Sequence, residues 1–180
     1  MLMKREFKPS TALVPCPVVL LSVTGEEKPN IITLSWAANV CSKPPTIAVG
    51  IRPNRYSHKM VQVAGDFVLN IPSVKQIEAT VFSGTKSGRE FDKFAECGFT
   101  AVKASKVTSP MIEECPINIE CKITQIVGLG SHDLFIAEVV AVHIDESVLG
   151  EKGRLDPSKA HFFTYLPLIG KYWTLGDQLR

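Results

Sequence analysis

The chain predicts a β-dominated α+β fold, an antiparallel barrel of strands decorated by short helices. Three observations lead there. Runs of β-branched and aliphatic residues recur in pairs separated by turn residues, the mark of hairpins. Only two stretches carry helical periodicity, and both are short. No repeat, low-complexity tract or linker divides the 180 residues, so residues 1–180 read as a single domain.

The elements follow in order. Val18-Val19-Leu20-Leu21-Ser22-Val23 is a strand, and Thr24-Gly25-Glu26-Glu27-Lys28-Pro29 is turn chemistry. Asn30 to Ala38 reads as the returning strand, followed by a loop closing on Pro44-Pro45. Thr46 to Ile51 is a third strand and Phe67 to Ile71 a fourth. Between them Ser57 to Ala64 fits a short helix that Gly65 stops. Val74, Ile77 and Val81 lie near helical spacing, so Val74 to Phe82 is a second helix, with Ser73 as its cap. Ser83 to Phe94 reads as a polar loop. Ile117 to Ile123 alternates as a half-buried strand does, turns at Gly128 to Asp133, and pairs with Leu134 to Ile144. The tail from Leu155 is rich in aromatics.

Gross chemistry narrows the function. The formal charge is only +2 and the basic residues are scattered, which argues against a nucleic-acid partner. Met1 to Glu6 has no apolar stretch behind its charges, so no signal peptide is expected. The longest apolar run, Pro15 to Val23, is far short of the ~18 residues of a membrane span. Cys16, Cys41, Cys97, Cys115 and Cys121 are odd in number and scattered, which fits a reducing cytoplasm. No metal is expected, because neither these cysteines nor His58, His132, His143 and His161 show ligand spacing. No glycine-rich nucleotide fingerprint is present.

The stretch from Asn30 to His58 carries most of the chemistry. In Arg52-Pro53-Asn54-Arg55-Tyr56-Ser57-His58 a basic turn opens a helix. A capping Ser57, the first free N–H groups and Arg55 would converge on an anion such as a phosphate. A capped surface helix with a solvated arginine is the plain alternative. In Thr33-Leu34-Ser35-Trp36, Thr33 and Ser35 share one face of a strand while Leu34 and Trp36 share the other. All four reach one ligand only if the chain bends near Trp36; otherwise Trp36 is core. Lys93, flanked by Asp92, is either solvated or a cation for a phosphate or a reduced ring. His132, at a turn beside glycines, is an exposed turn residue or a group lying over a ring.

Taken with Pro44-Pro45, Phe67-Val68-Leu69-Asn70, Ser83-Gly84, Asp92-Lys93-Phe94, Ser131-His132-Asp133-Leu134-Phe135 and the ending Gly170-Lys171-Tyr172-Trp173, the chain resembles the flavin reductase-like family of FMN-binding split barrels, which includes flavoredoxins. The likeness runs from about Pro9 to Trp173. It implies a six-stranded antiparallel split β-barrel, noncovalent FMN and a homodimer with the flavin near the subunit interface. It implies Thr33, Ser35 and Trp36 against the ring and ribityl chain, Arg55, Ser57 and Lys93 at or near the phosphate, and Leu34, Tyr56 and Ser83 among the cofactor-binding residues. His132 would lie by the ring, and Phe162, Phe163 or Tyr165 would wall the pocket. It further implies an oxidoreductase that draws on NAD(P)H, or an electron carrier serving a redox protein.

Overall fold

The computed structural model describes residues 3–180. The reading of the amino terminus as free of a signal falls partly on Met1 and Leu2, outside the described residues. The strands are β1 (Cys16–Pro17), β2 (Val19–Val23), β3 (Asn30–Leu34), β4 (Ala37–Ser42), β5 (Pro45–Ile51) and β6 (Asp66–Ile71). They continue with β7 (Ala101–Val102), β8 (Met111–Ile112), β9 (Ile117–Gly128), β10 (Asp133–Ile144), β11 (Phe163–Leu166) and β12 (Lys171–Thr174). The helices are α1 (Tyr56–Ala64), α2 (Ile77–Thr85), α3 (Lys93–Cys97) and α4 (Pro157–Ala160).

Seven strands form one antiparallel sheet in the order β3-β2-β6-β9-β10-β5-β4. Its first and last members are neighbours in sequence, separated only by Ser35 and Trp36. Three peptide steps reach at most ~11 Å, whereas a flat seven-stranded sheet would hold its edges roughly 29 Å apart. The sheet must therefore curl until its edges meet. The Gly50 N–H donates to the Trp36 carbonyl at 2.8 Å, which carries the β4–β5 ladder into the crossing, and β3 lies against β5 without a ladder between them. Bulges at Ile136/Ala137 and Val139/Ala141 in the β9–β10 pairing assist the bend. The β-dominated, split-barrel reading holds, with six strands from β3 to β5 and β4 added outside them.

Alternation builds the interior. Val19, Leu21 and Val23 of β2 meet Ile32, Leu34, Val49, Phe67 and Phe135 in the barrel core. The opposite face of β2 and β3 is covered too, because Leu20 and Ile31 pack with Phe94, Phe99, Ile112 and Cys115. Each fully buried large side chain contributes roughly 1.5–3 kcal/mol. Gly65 ends α1 in the left-handed conformation, with φ 71°, as a helix-stopping glycine should. A 3-10 turn capped by Ser73 leads into α2.

Three local expectations change. The single strand expected over Asn30 to Ala38 breaks at Ser35 and Trp36, and the loop expected after it is instead mostly β4, an exposed edge strand paired on one side only. The loop expected over Ser83 to Phe94 loses both ends: Ser83–Thr85 complete α2, and Lys93 opens α3, where the Asp92 carboxylate accepts from the Ala95 N–H. The polar face of β9 is not all in water: Lys122 is exposed, but Asn118 is buried. Glu120 is wholly buried and accepts from the N–H groups of Ser105, Lys106 and Val107, the Ser105 hydroxyl, and His143 Nε2. Asp66 holds Thr108 and Ser109 in the same manner. Two carboxylates thus strap residues 105–109 across the barrel.

Burial alone would push the Glu120 carboxyl up, but the bonds from Ser105, His143 and Lys106 outweigh it and hold it down to about 2. A depressed folded pKa contributes stability above the unfolded value, lost as pH falls through the folded one. The shift from 4.5 to about 2 corresponds to about 3 kcal/mol, present above roughly pH 4.5 and lost toward pH 2. Glu120→Gln turns an amide NH2 toward backbone donors. Urea unfolding at neutral pH should show it less stable by ~2–3 kcal/mol, with a flatter acid limb. A variant with the wild-type acid profile would contradict the strap.

Candidate functional site

Beside the Ser35–Trp36 crossing lies a hollow of about 150 Å³ lined by Thr33, Leu34, Ser35, Trp36, Arg52, Arg55, Gly84 and His132. The strand ends at Leu34 and the backbone bends through Ser35 and Trp36. That bend resolves the conflict of faces, since residues of both strand faces now line one space. The Thr33 hydroxyl donates to the Thr80 carbonyl at 2.6 Å, tying β3 to α2. Gly84 keeps the wall thin: a Cβ there would lie 3.2 Å from the Thr33 Cβ.

Trp36 and His132 form an aromatic wall with ring centroids 4.2 Å apart and planes tilted by 47°. Trp36 is 39% exposed, so it is not simply a core residue. Arg52, which sequence reasoning passes over, donates through Nε to His132 Nε2 at 3.3 Å. Burial first, and the Arg52 charge second, lower the His132 pKa. His58 Nε2 and Asp133 Oδ2, 2.8 Å apart, tie the start of α1 to the turn that carries His132.

Arg55 is the cap residue of α1, its own side chain making no capping bond. Ser57 therefore sits inside the first turn and is buried, its hydroxyl accepting from Asn30 Nδ2 at 2.8 Å. That contact, more than a cap, explains the serine. Lys93 is not solvated. It is 3% exposed and its ammonium donates to the Ile31 and Ser83 carbonyls at 2.8 and 2.7 Å. Desolvation is the main cause that lowers its pKa to about 8; Cys97 raises it and Arg55 lowers it. The Ser83 hydroxyl points to Cys97 at 3.6 Å, so Ser83 and Lys93 underpin the site from beneath.

Other expected residues lie elsewhere. Tyr56 is beneath Arg89, whose guanidinium carbon is 5.5 Å from the ring centroid. Phe163 and Tyr165 sit on β11 and pack on Tyr172, with centroids 5.7 and 5.2 Å apart. Neither they nor Phe162 lines the hollow of this chain.

The curled antiparallel sheet thus gathers an aromatic wall, hydroxyls and the guanidiniums of Arg52 and Arg55 around one hollow. Comparisons with known proteins name the class. The family model for the flavin reductase like domain matches residues 11–166, and the chain belongs to that family. It is similar to the flavoredoxin of Desulfovibrio vulgaris (Miyazaki F), at 32% identity and a TM-score of 0.93 over 99% of this chain and 96% of that one. An FMN-binding protein from Thermus thermophilus, solved with bound 1-cyclohex-2-enone, matches at 26% identity and a TM-score of 0.83 over 100% and 99%. The NADPH-flavin oxidoreductase of Streptomyces viridifaciens is 27% identical over 76% of this chain and 70% of its own.

The buried Lys93 has a pH consequence. Its folded pKa lies below the unfolded 10.5, so the unfolded chain holds more protons between about 8 and 10.5 and stability rises with pH in that window. Lys93→Met should lack this rise. Urea unfolding near pH 8 and near pH 10 should show wild type gaining up to ~3 kcal/mol relative to the variant. Parallel profiles would place the lysine in solvent.

Proposed function

We propose that the protein binds FMN in the Trp36–His132 hollow and works as an oxidoreductase, taking a hydride from NADH or NADPH and delivering electrons to free flavin or another acceptor. The observation that carries this reading is the convergence of Arg52, Arg55 and the Trp36–His132 wall on one hollow, in a chain of the flavin reductase-like family. The residues fit the cofactor. Arg52 and Arg55 suit a phosphate or an anionic ring edge. Trp36 offers an aromatic face, and Ser35 a polar edge for a ribityl chain. Lys93, held beneath, adds positive field that favours extra negative charge above it. Bound FMN supplies hydride and single-electron chemistry, so the chain needs no nucleophile of its own.

A hollow of about 150 Å³ is smaller than the ~300–1,000 Å³ that drug-sized ligands fill. Part of the cofactor would project beyond one chain. β4 presents an unpaired edge with Val40 exposed, a surface proteins rarely leave bare. Both facts support a homodimer that completes the pocket, with the partner's tail aromatics available for its outer wall. The five free thiols support a cytoplasmic setting. Among the described residues no helix is long and apolar enough to cross a membrane.

The similarity to a flavoredoxin at a TM-score of 0.93 favours a second reading, a carrier that exchanges electrons only with a protein partner. Anaerobic mixing of the FMN-loaded protein with NADH or NADPH separates the two. Bleaching of the yellow absorbance within seconds is expected of the oxidoreductase; bleaching by a reduced ferredoxin alone would replace that reading with the carrier. The same preparation should sediment as two chains, and a single-chain mass would contradict the shared pocket.

A further inference from the structure

Arg52 leaves the end of β5 and reaches the mouth of the hollow, where its Nε–H meets His132 Nε2 at 3.3 Å. On the other side of the ring, Nδ1 is 2.9 Å from the Ser131 hydroxyl. An arginine nitrogen can only donate. Nε2 is therefore the lone-pair nitrogen, and Nδ1 carries the proton and donates it to the Ser131 oxygen. We propose that Arg52 is a positioning residue of the flavin site: it holds His132 as a neutral, Nδ1-protonated ring against Trp36, so that the fixed positive charge of this wall is a guanidinium and not an imidazolium. This inference rests on reading the hollow as the flavin site.

The neighbourhood supports it. The charged groups around the ring are Arg52, Arg55 on the same hollow, and the His58–Asp133 pair. The Asp133 carboxylate is engaged with His58, so it does not recruit a second proton to His132. Burial and the Arg52 charge both disfavour the imidazolium. The wall consequently favours the neutral ring more than a free histidine would. His132 offers no proton from Nε2 while Arg52 stays in place. A ligand anion that draws the guanidinium away frees that nitrogen, which couples anion binding to the ring's hydrogen-bonding state.

The test uses full-length protein labelled with 15N-histidine, before and after loading with FMN. Imidazole 1H–15N spectra are followed between about pH 5 and 8 in wild type, Arg52→Gln and Arg52→Lys. Arg52 is exposed, so neither substitution should disturb folding. Wild type should show the Nδ1–H tautomer at His132. Arg52→Gln should titrate His132 at higher pH, and its FMN dissociation constant should gain a pH dependence with the same midpoint that wild type lacks. Arg52→Lys keeps the charge without the planar fork, so it should retain the low titration point and lose the single tautomer. An Nε2–H tautomer in wild type, or identical titration in wild type and Arg52→Gln, overturns the proposal. If wild type takes up no FMN although the spectra behave as expected, the flavin reading fails and the tautomer assignment stands alone.

Discussion

A two-residue crossing organises this molecule. Ser35 and Trp36 join strands at opposite ends of a seven-stranded sheet, and no flat sheet permits so short a link. The crossing draws β3 against β5, yet no continuous ladder laces those two strands; the bond from Gly50 to the Trp36 carbonyl only carries the β4–β5 ladder into the crossing. A seam that is closed but unlaced leaves room beside it. The hollow is that room, and the residues that line it come from the seam itself and from the turns that flank it.

Buried polar groups keep the seam's surroundings rigid. Lys93 fastens β3 to α2 through two carbonyls, Thr33 does the same through its hydroxyl, and Asn30 reaches across to Ser57 on α1. His58 and Asp133 fasten α1 to the β9–β10 turn. On the far side, Glu120 and Asp66 strap down residues 105–109. β3, α1, α2 and the turn that carries His132 are thus each tied to a neighbour by at least one buried or half-buried polar contact. Such contacts are costly if left half-made, so they specify a single arrangement.

Much of the fold was legible because strands with a buried face announce themselves by period two, as in Val19 to Val23 and Phe67 to Ile71. β4 was not, since Ala38-Asn39-Val40-Cys41-Ser42 faces solvent throughout and carries no alternation. α3 is one turn long and hides in a charged segment. At the site, the conflict of faces in Thr33 to Trp36 pointed to a bend from sequence alone, and Arg55 and His132 stood out in basic and glycine-rich turns. Arg52 did not: its significance lies in a contact with a residue 80 positions away. Ser57 and Lys93 look like surface residues in sequence and are buried, because Asn30, Ile31 and Ser83, far from them along the chain, supply their partners.

The site's chemistry follows from its charge. The guanidiniums of Arg52 and Arg55 line the hollow with the Trp36–His132 wall, and among the described residues no carboxylate lines it. The chain contains two tryptophans, so Trp173→Phe leaves Trp36 as the sole indole reporter. Titrating that variant with FMN should quench its emission saturably at one flavin per chain. Flavin uptake with Trp36 emission unchanged, or no uptake at all, would contradict the claim that the seam is where the cofactor sits.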